Sequence, residues 1–315
     1  MKIVVTGSIA YDYLMSFPGK FTEQILPEHL NRLSVSFLVD SMDKRRGGCA
    51  PNIAYTLALL GEKPYLMATA GEDFGDYRQW LEAAGIDTSL CKQIGGKFTA
   101  SFFCSTDTSN NQIASFYTGA MADAGQLSFR NAKDAKLAII SPNDPGAMVT
   151  YAEECRTLKI PFIFDPGQQC ARMSGDELKD GISGADILIC NDYEFELIRE
   201  KTGMGEKEVL GQVNTLIVTK GEKGSSVITK KGQADVAAVE PRRIADPTGV
   251  GDAFRGGLLK GFAMGLSAEE AAKIGSVAAT YCLEHLGGTY HSYTWGEFEQ
   301  RYRQHFGVLQ GSVRL

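Results

Sequence analysis

Several hallmarks of large protein classes are missing from this 315-residue chain. No apolar run approaches the roughly 20 residues needed to cross a bilayer. The opening Met1-Lys2-Ile3-Val4-Val5-Thr6-Gly7 is too short and too quickly polar for a signal peptide. No membrane partner is expected, and a cytoplasmic setting is. Histidine is scarce: His29, His285, His291 and His305 have no zinc- or iron-ligand spacing. The seven cysteines (Cys49, Cys91, Cys104, Cys155, Cys170, Cys190 and Cys282) are odd in number and include no Cys-x-x-Cys pair. They predict a reducing environment and no structural metal. No Gly-x-Gly-x-x-Gly follows the first apolar run, where Gly7-Ser8-Ile9-Ala10 stands, which argues against a dinucleotide-binding dehydrogenase. A Gly-x-x-x-x-Gly-Lys-Ser/Thr loop is also missing, which argues against a P-loop kinase. The net charge of −6 argues against a nucleic-acid surface.

What is present alternates between strand and helix. Ile3–Thr6, Tyr65–Thr69, Leu137–Ser141, Phe162–Asp165, Ile187–Cys190 and Leu216–Thr219 are short apolar runs of strand type. Asn52–Leu60, Asp76–Ala84, Gly146–Leu158, Asp176–Ile182 and Tyr193–Lys201 have helical patterns between them. Three more helices close the chain, at Asp252–Met264, Ala268–His285 and Trp295–His305. Continuous apolar strands separated by helices predict a mainly parallel sheet covered on both faces.

Two segments break this rhythm. Residues from about 16 to 46 hold Pro18, Pro27 and the alternating run Leu33–Val39. Residues from about 97 to 119 hold Phe98–Cys104 and Gln112–Tyr117, joined by the polar turn Asp107–Asn111. Alternation and a polar turn predict a small antiparallel sheet with one solvated face. A lid inserted in the main domain and a plain β extension fit this pattern equally well.

The stretch Asp246-Pro-Thr-Gly-Val-Gly-Asp-Ala-Phe-Arg-Gly-Gly257 carries the most chemistry. Gly249, Val250 and Gly251 lead into a helix whose first turn holds Asp252. Glycine backbone and unpaired helical N–H groups form a pocket for an anion such as a transferring phosphate. A carboxylate there would repel phosphate unless it worked as a general base on the attacking hydroxyl. The run resembles the C-terminal signature of the ribokinase/PfkB family of sugar and nucleoside kinases, with Val250 where the family usually has Ala.

Four further stretches occur in that family's order. Gly47-Gly48-Cys49-Ala50-Pro51-Asn52 opens a helix with glycines and an amide suited to a small polar ligand, like the family's Gly-Gly-x-x-x-Asn. Asp12 lies beyond the first strand, where α/β sheets bind ligands. The resemblance implies that it grips two neighbouring sugar hydroxyls; a loop Asp capping its own turn is the other reading. Asn191-Asp192-Tyr193-Glu194 matches an Asn-x-x-Glu motif that in the family organises magnesium and its water shell, and it equally reads as a helix N-cap. Thr219, Gly221 and Gly224 match a turn that in the family lies along ATP. Asp246 matches a residue that helps hold a monovalent cation such as potassium in some members. Arg255 reads as an exposed helical residue, with contact to phosphate as the other reading.

The resemblance implies a single ribokinase-like domain over residues 1–315, a three-layer α/β/α sandwich with a small β lid, as monomer or lid-mediated homodimer. It implies transfer of the ATP γ-phosphoryl group to a primary hydroxyl. Gly256-Gly257 and the long first lid segment around Ile25–Leu30 resemble the prokaryotic nucleoside-kinase branch, of adenosine or inosine type. Phe37, Phe102, Phe116 and Tyr117 offer faces on which a purine would stack. A free-sugar kinase of ribose or fructose type is the alternative within the family. A catalytically silent nucleotide-binding regulator is the alternative outside it, and the presence of Asp252, Asn191 and Glu194 argues against it.

Overall fold

The computed structural model of the protein describes residues 1–25 and 27–309. In chain order the first elements are β1 (Ile3–Thr6), β2 (Ala10–Ser16), the short α1 (Phe21–Gln24), β3 (Ser41–Gly47), α2 (Cys49–Leu59), β4 (Tyr65–Met67), β5 (Thr69–Ala70) and α3 (Gly75–Ala83). Then come β6 (Lys92–Gln93), β7 (Ala100–Thr106), β8 (Gln112–Tyr117), β9 (Leu137–Ile140), α4 (Pro145–Leu158), β10 (Phe162–Phe164), α5 (Gly175–Ile182), β11 (Ile187–Asn191) and α6 (Asp192–Thr202). The chain continues with α7 (Glu206–Gln212), β12 (Thr215–Thr219), β13 (Ser225–Thr229), β14 (Gly232–Val236), α8 (Val250–Ala263), α9 (Ala268–Leu283) and α10 (Trp295–Phe306).

The main sheet has the order β14-β13-β12-β11-β10-β9-β1-β4. From β12 to β4 every pairing is parallel, and the β13–β14 hairpin extends the sheet antiparallel. Alternate residues of the strands face opposite layers. Val4, Ala138, Phe164, Leu188 and Leu216 pack with α4 through α7, around Met148, Tyr151, Ile182, Ile198 and Val209. Val5, Ile139, Ile163, Ile189 and Ile217 pack with α2, α3, α8 and α9, around Ile53, Tyr77, Leu258 and Ala271. This is the ribokinase-like three-layer sandwich. A parallel strand buried on both faces must be apolar throughout, which is why these runs were continuous in the sequence.

A second sheet has the order β3-β2-β7-β8. Two readings of this region are corrected. The segment carrying Asp12 is not a loop but strand β2, paired antiparallel to β3 and parallel to β7. The alternating run Leu33–Val39 forms no strand, and Leu38 is 85% exposed. The strand lies further on, in the charged Ser41–Gly47, because its pairing with β2 is set in register from Ala10 with Gly47 to Ser16 with Ser41. Leu26, within the long first segment, lies outside the described residues. Among the described residues no helix is long and apolar enough to cross a membrane.

Candidate active site

The chain leaves β1 for β4 on one side and later places β9 on the other, so the sheet's order reverses at β1. Crevices beyond the carboxyl ends of strands at such a point are ligand sites. A cavity of about 450 Å³ lies there, with Ser8 after β1 and Pro142 after β9 in its wall. Asp12, Gly48, Asn52, Gly249 and Asp252 line it too, so residues from three separate sequence stretches converge. Phe102 and Phe116, a cross-strand pair on β7 and β8, close it from the second sheet.

Asp252 sits in the first turn of α8, behind Gly249 at φ +77°. Its Oδ2 accepts a 2.8 Å hydrogen bond from Nδ2 of Asn52 on α2. Burial pushes its carboxyl up to about 7, with the Asn52 bond and Arg255 pulling it down and Asp165 and Glu194 pushing it up. A carboxylate near neutrality, open to the cavity and oriented by an amide, suits proton abstraction. Gly48 has φ +96°, and a Cβ there would collide with the backbone of Ser8 and Ala10. Only glycine serves at this junction between β3 and α2.

Asp12 faces Arg45 across the β2–β3 pair. Burial raises its carboxyl to about 6, Arg45 lowers it and Asp246 raises it. Asp246 Oδ1 accepts from the Thr248 N–H at 2.9 Å and Oδ2 from the Gly287 N–H at 2.9 Å. Arg45 Nη1 stands 3.5 Å from the same Oδ2. Asp246 therefore already has a cationic partner and two N–H donors. This donor set does not fit a monovalent cation.

Asn191 ends β11 and Thr219 ends β12, side by side in register. Asn191 Oδ1 accepts from the Glu194 N–H at 2.7 Å, and Glu194 Oε2 accepts from the Asn191 N–H at 2.8 Å. The N-cap reading is thus correct as local structure. Burial raises the Glu194 carboxyl, and the Asn191 bond lowers it. One Glu194 oxygen remains outside the capping pair, a donor set that fits an outer-sphere role beside magnesium. Gly221 and Gly224 take φ +57° and +81° in the turn after β12, where Lys220 N–H donates to Gly224 O at 2.7 Å.

Arg255 is not exposed. It is 7% accessible and holds the buried Asp165, just after β10, through Nε and Nη2 at 2.5 Å each. Asp165 stood in the sequence only as the end of a strand, and no local pattern links it to a residue 90 positions away. Gln168, Gln169 and Arg172 also line the cavity and were not anticipated. Of the four lid aromatics, Phe102 and Phe116 line it; Phe37 packs instead against Phe17 and Phe21.

Residues 3–295 match the pfkB family of carbohydrate kinases. The chain belongs to that family. As a pfkB kinase it is a phosphotransferase with an alcohol group as acceptor. It is 29% identical to a nucleoside kinase of Methanocaldococcus jannaschii over 306 residues, covering 96% of this chain and 97% of that one. The solved structure of Burkholderia thailandensis nucleoside kinase in complex with inosine is 38% identical, with TM-score 0.87, covering 98% of this chain and 99% of that one. That protein has also been solved in complex with ADP-inosine. A ribokinase of Thermotoga maritima, 22% identical with TM-score 0.81 over 96% of this chain and 99% of that one, shares the fold.

Proposed function

We propose that this pfkB kinase transfers the γ-phosphoryl group of ATP to the 5′-hydroxyl of a purine nucleoside of adenosine or inosine type. The observation that carries the reading is the Asn52–Asp252 bond at the floor of a cavity shared with Asp12 and the Phe102–Phe116 pair. Asp12, Gly48 and Asn52 would bind the ribose hydroxyls. The 5′ oxygen would then face Asp252, whose Oδ takes its proton as that oxygen attacks the γ-phosphorus. The bond to the β-phosphate bridge oxygen breaks, and ADP leaves with its electron pair. N–H groups of Gly249, Gly251 and Asp252 at the start of α8 stabilise the transferring phosphoryl group, while that of Val250 donates to Pro247 O at 3.3 Å.

ATP would lie along Asn191, Thr219, Gly221 and Gly224. Asn191 and Glu194 would hold the water shell of a magnesium ion, which neutralises phosphate charge when bound. No step is assigned to potassium. The second sheet would serve as the lid, excluding water once the base stacks near Phe102 and Phe116. The inosine-bound relative supports a nucleoside acceptor.

The test is the specificity constant for adenosine, inosine, ribose and fructose with the intact protein. A purine nucleoside should exceed both sugars by at least tenfold. A free sugar preferred over both nucleosides would overturn the acceptor assignment and leave the phosphotransferase standing.

A further inference from the structure

We propose that Arg255 and Asp165 form a positioning pair that anchors the phosphate-facing start of α8 to the sheet and fixes the charge around Asp252. The guanidinium makes three contacts at once. Nε and Nη2 grip both oxygens of Asp165 at 2.5 Å, and Nη1 donates to the Gly251 carbonyl at 3.0 Å. Gly251 directly precedes Asp252, so one side chain ties the first turn of α8 to the end of β10. Asp165 is itself fixed, its N–H donating to Ile140 O of β9 at 2.9 Å. The segment after it, Gln168 and Gln169, walls the cavity. The pair thus sets the helix start, the strand end and one cavity wall relative to each other.

Stability does not explain such a pair. A buried ion pair is commonly no better than apolar residues of the same volume, because desolvation offsets the attraction. Here Asp165 is 1% and Arg255 8% exposed in their side chains. Bidentate geometry gives direction, which a helix start aimed at phosphate requires.

Electrostatically the two members oppose each other at Asp252, which Arg255 favours as a carboxylate and Asp165 disfavours. The other groups that face it are Asn52 and Cys49 of α2, Glu194 of α6 and Cys282 of α9. None of them bonds Arg255, so the pair can be altered separately.

The inference rests on Asp252 as the base, and the experiment separates the two. Turnover is measured from pH 5 to pH 9 with saturating ATP and magnesium and the preferred acceptor, for wild type, Asp252→Asn, Arg255→Met, Asp165→Asn and the double variant Asp165→Leu/Arg255→Met. Arg255→Met should move the acid limb up and Asp165→Asn should move it down, each by about 1 pH unit. The double variant removes both charges. It should keep the limb within about half a unit while turnover falls roughly 100-fold, the scale of a misplaced reacting group. Thermal melts identify a single variant that does not fold, and the double variant then decides. Limbs that move together or not at all, or a double variant with wild-type turnover, overturn the pair. Full activity in Asp252→Asn overturns the base instead.

Discussion

At Asp252 burial holds the carboxyl up to about 7, the range that the proposed proton transfer calls for. A raised carboxyl is half-ionised near neutrality and accepts a proton readily. Catalytic efficiency should therefore fall about tenfold per pH unit below about 7, the position set by burial. Asp252→Asn should lower turnover by about 100- to 10,000-fold, measured at saturating substrates. The linkage has a definite sign. A carboxyl raised in the folded state binds its proton more tightly there than in the unfolded chain, so ionising it destabilises the fold as pH rises through about 7. At pH 8 the Asn variant should melt at a higher temperature than wild type, and an equal or lower melting point would refute the burial argument. Of the residues that line the cavity, Asp252, Asn52 and Gly48 were legible as candidates because glycines and helix starts leave local marks. Arg255 was not, because its partner arrives from another strand and a helical pattern does not record it.

Elements were legible where burial imposed a period. The parallel strands and their helices appeared because each had to be apolar on fixed faces. The second sheet was half legible: β7 and β8 alternate, but β3 is Ser-Met-Asp-Lys-Arg-Arg-Gly, which no apolar template selects. Its strand state comes from pairing with β2, while the alternating Leu33–Val39 has no such partner strand. The junction at Gly48 links this sheet to α2, and its backbone is the strained point. Gly48→Ala should cost about 1–3 kcal/mol in denaturant unfolding and should weaken acceptor binding. A variant with wild-type stability and affinity would show that the junction tolerates a side chain.

Over the whole molecule, α2, α8 and the second sheet meet beyond the carboxyl ends of β1 and β9 to form the cavity. The cysteines give an internal measure of that packing. Cys104, Cys155, Cys170, Cys190 and Cys282 are buried, while Cys49 and Cys91 are partly exposed. Burial holds the thiols of Cys49 and Cys91 above the ordinary range, so alkylation of the native protein should be slow. Cys49 lines the cavity and Cys91 does not. A nucleoside should slow labelling of Cys49 and leave Cys91 unchanged, as peptide mass spectrometry after iodoacetamide would report. Equal protection of both, or of neither, would place the acceptor elsewhere. The partners Asn52 and Asp252 are 200 residues apart in the chain. At about 5–20 residues per second of synthesis, α8 leaves the ribosome roughly 10–40 s after α2. A growing chain can shape the glycine junction and the second sheet long before it has Asp252, the proposed base. Only α9 and α10 follow α8, so a chain that stops short of α8 lacks the Asn52–Asp252 bond and, on the proposed mechanism, any base with which to hydrolyse ATP.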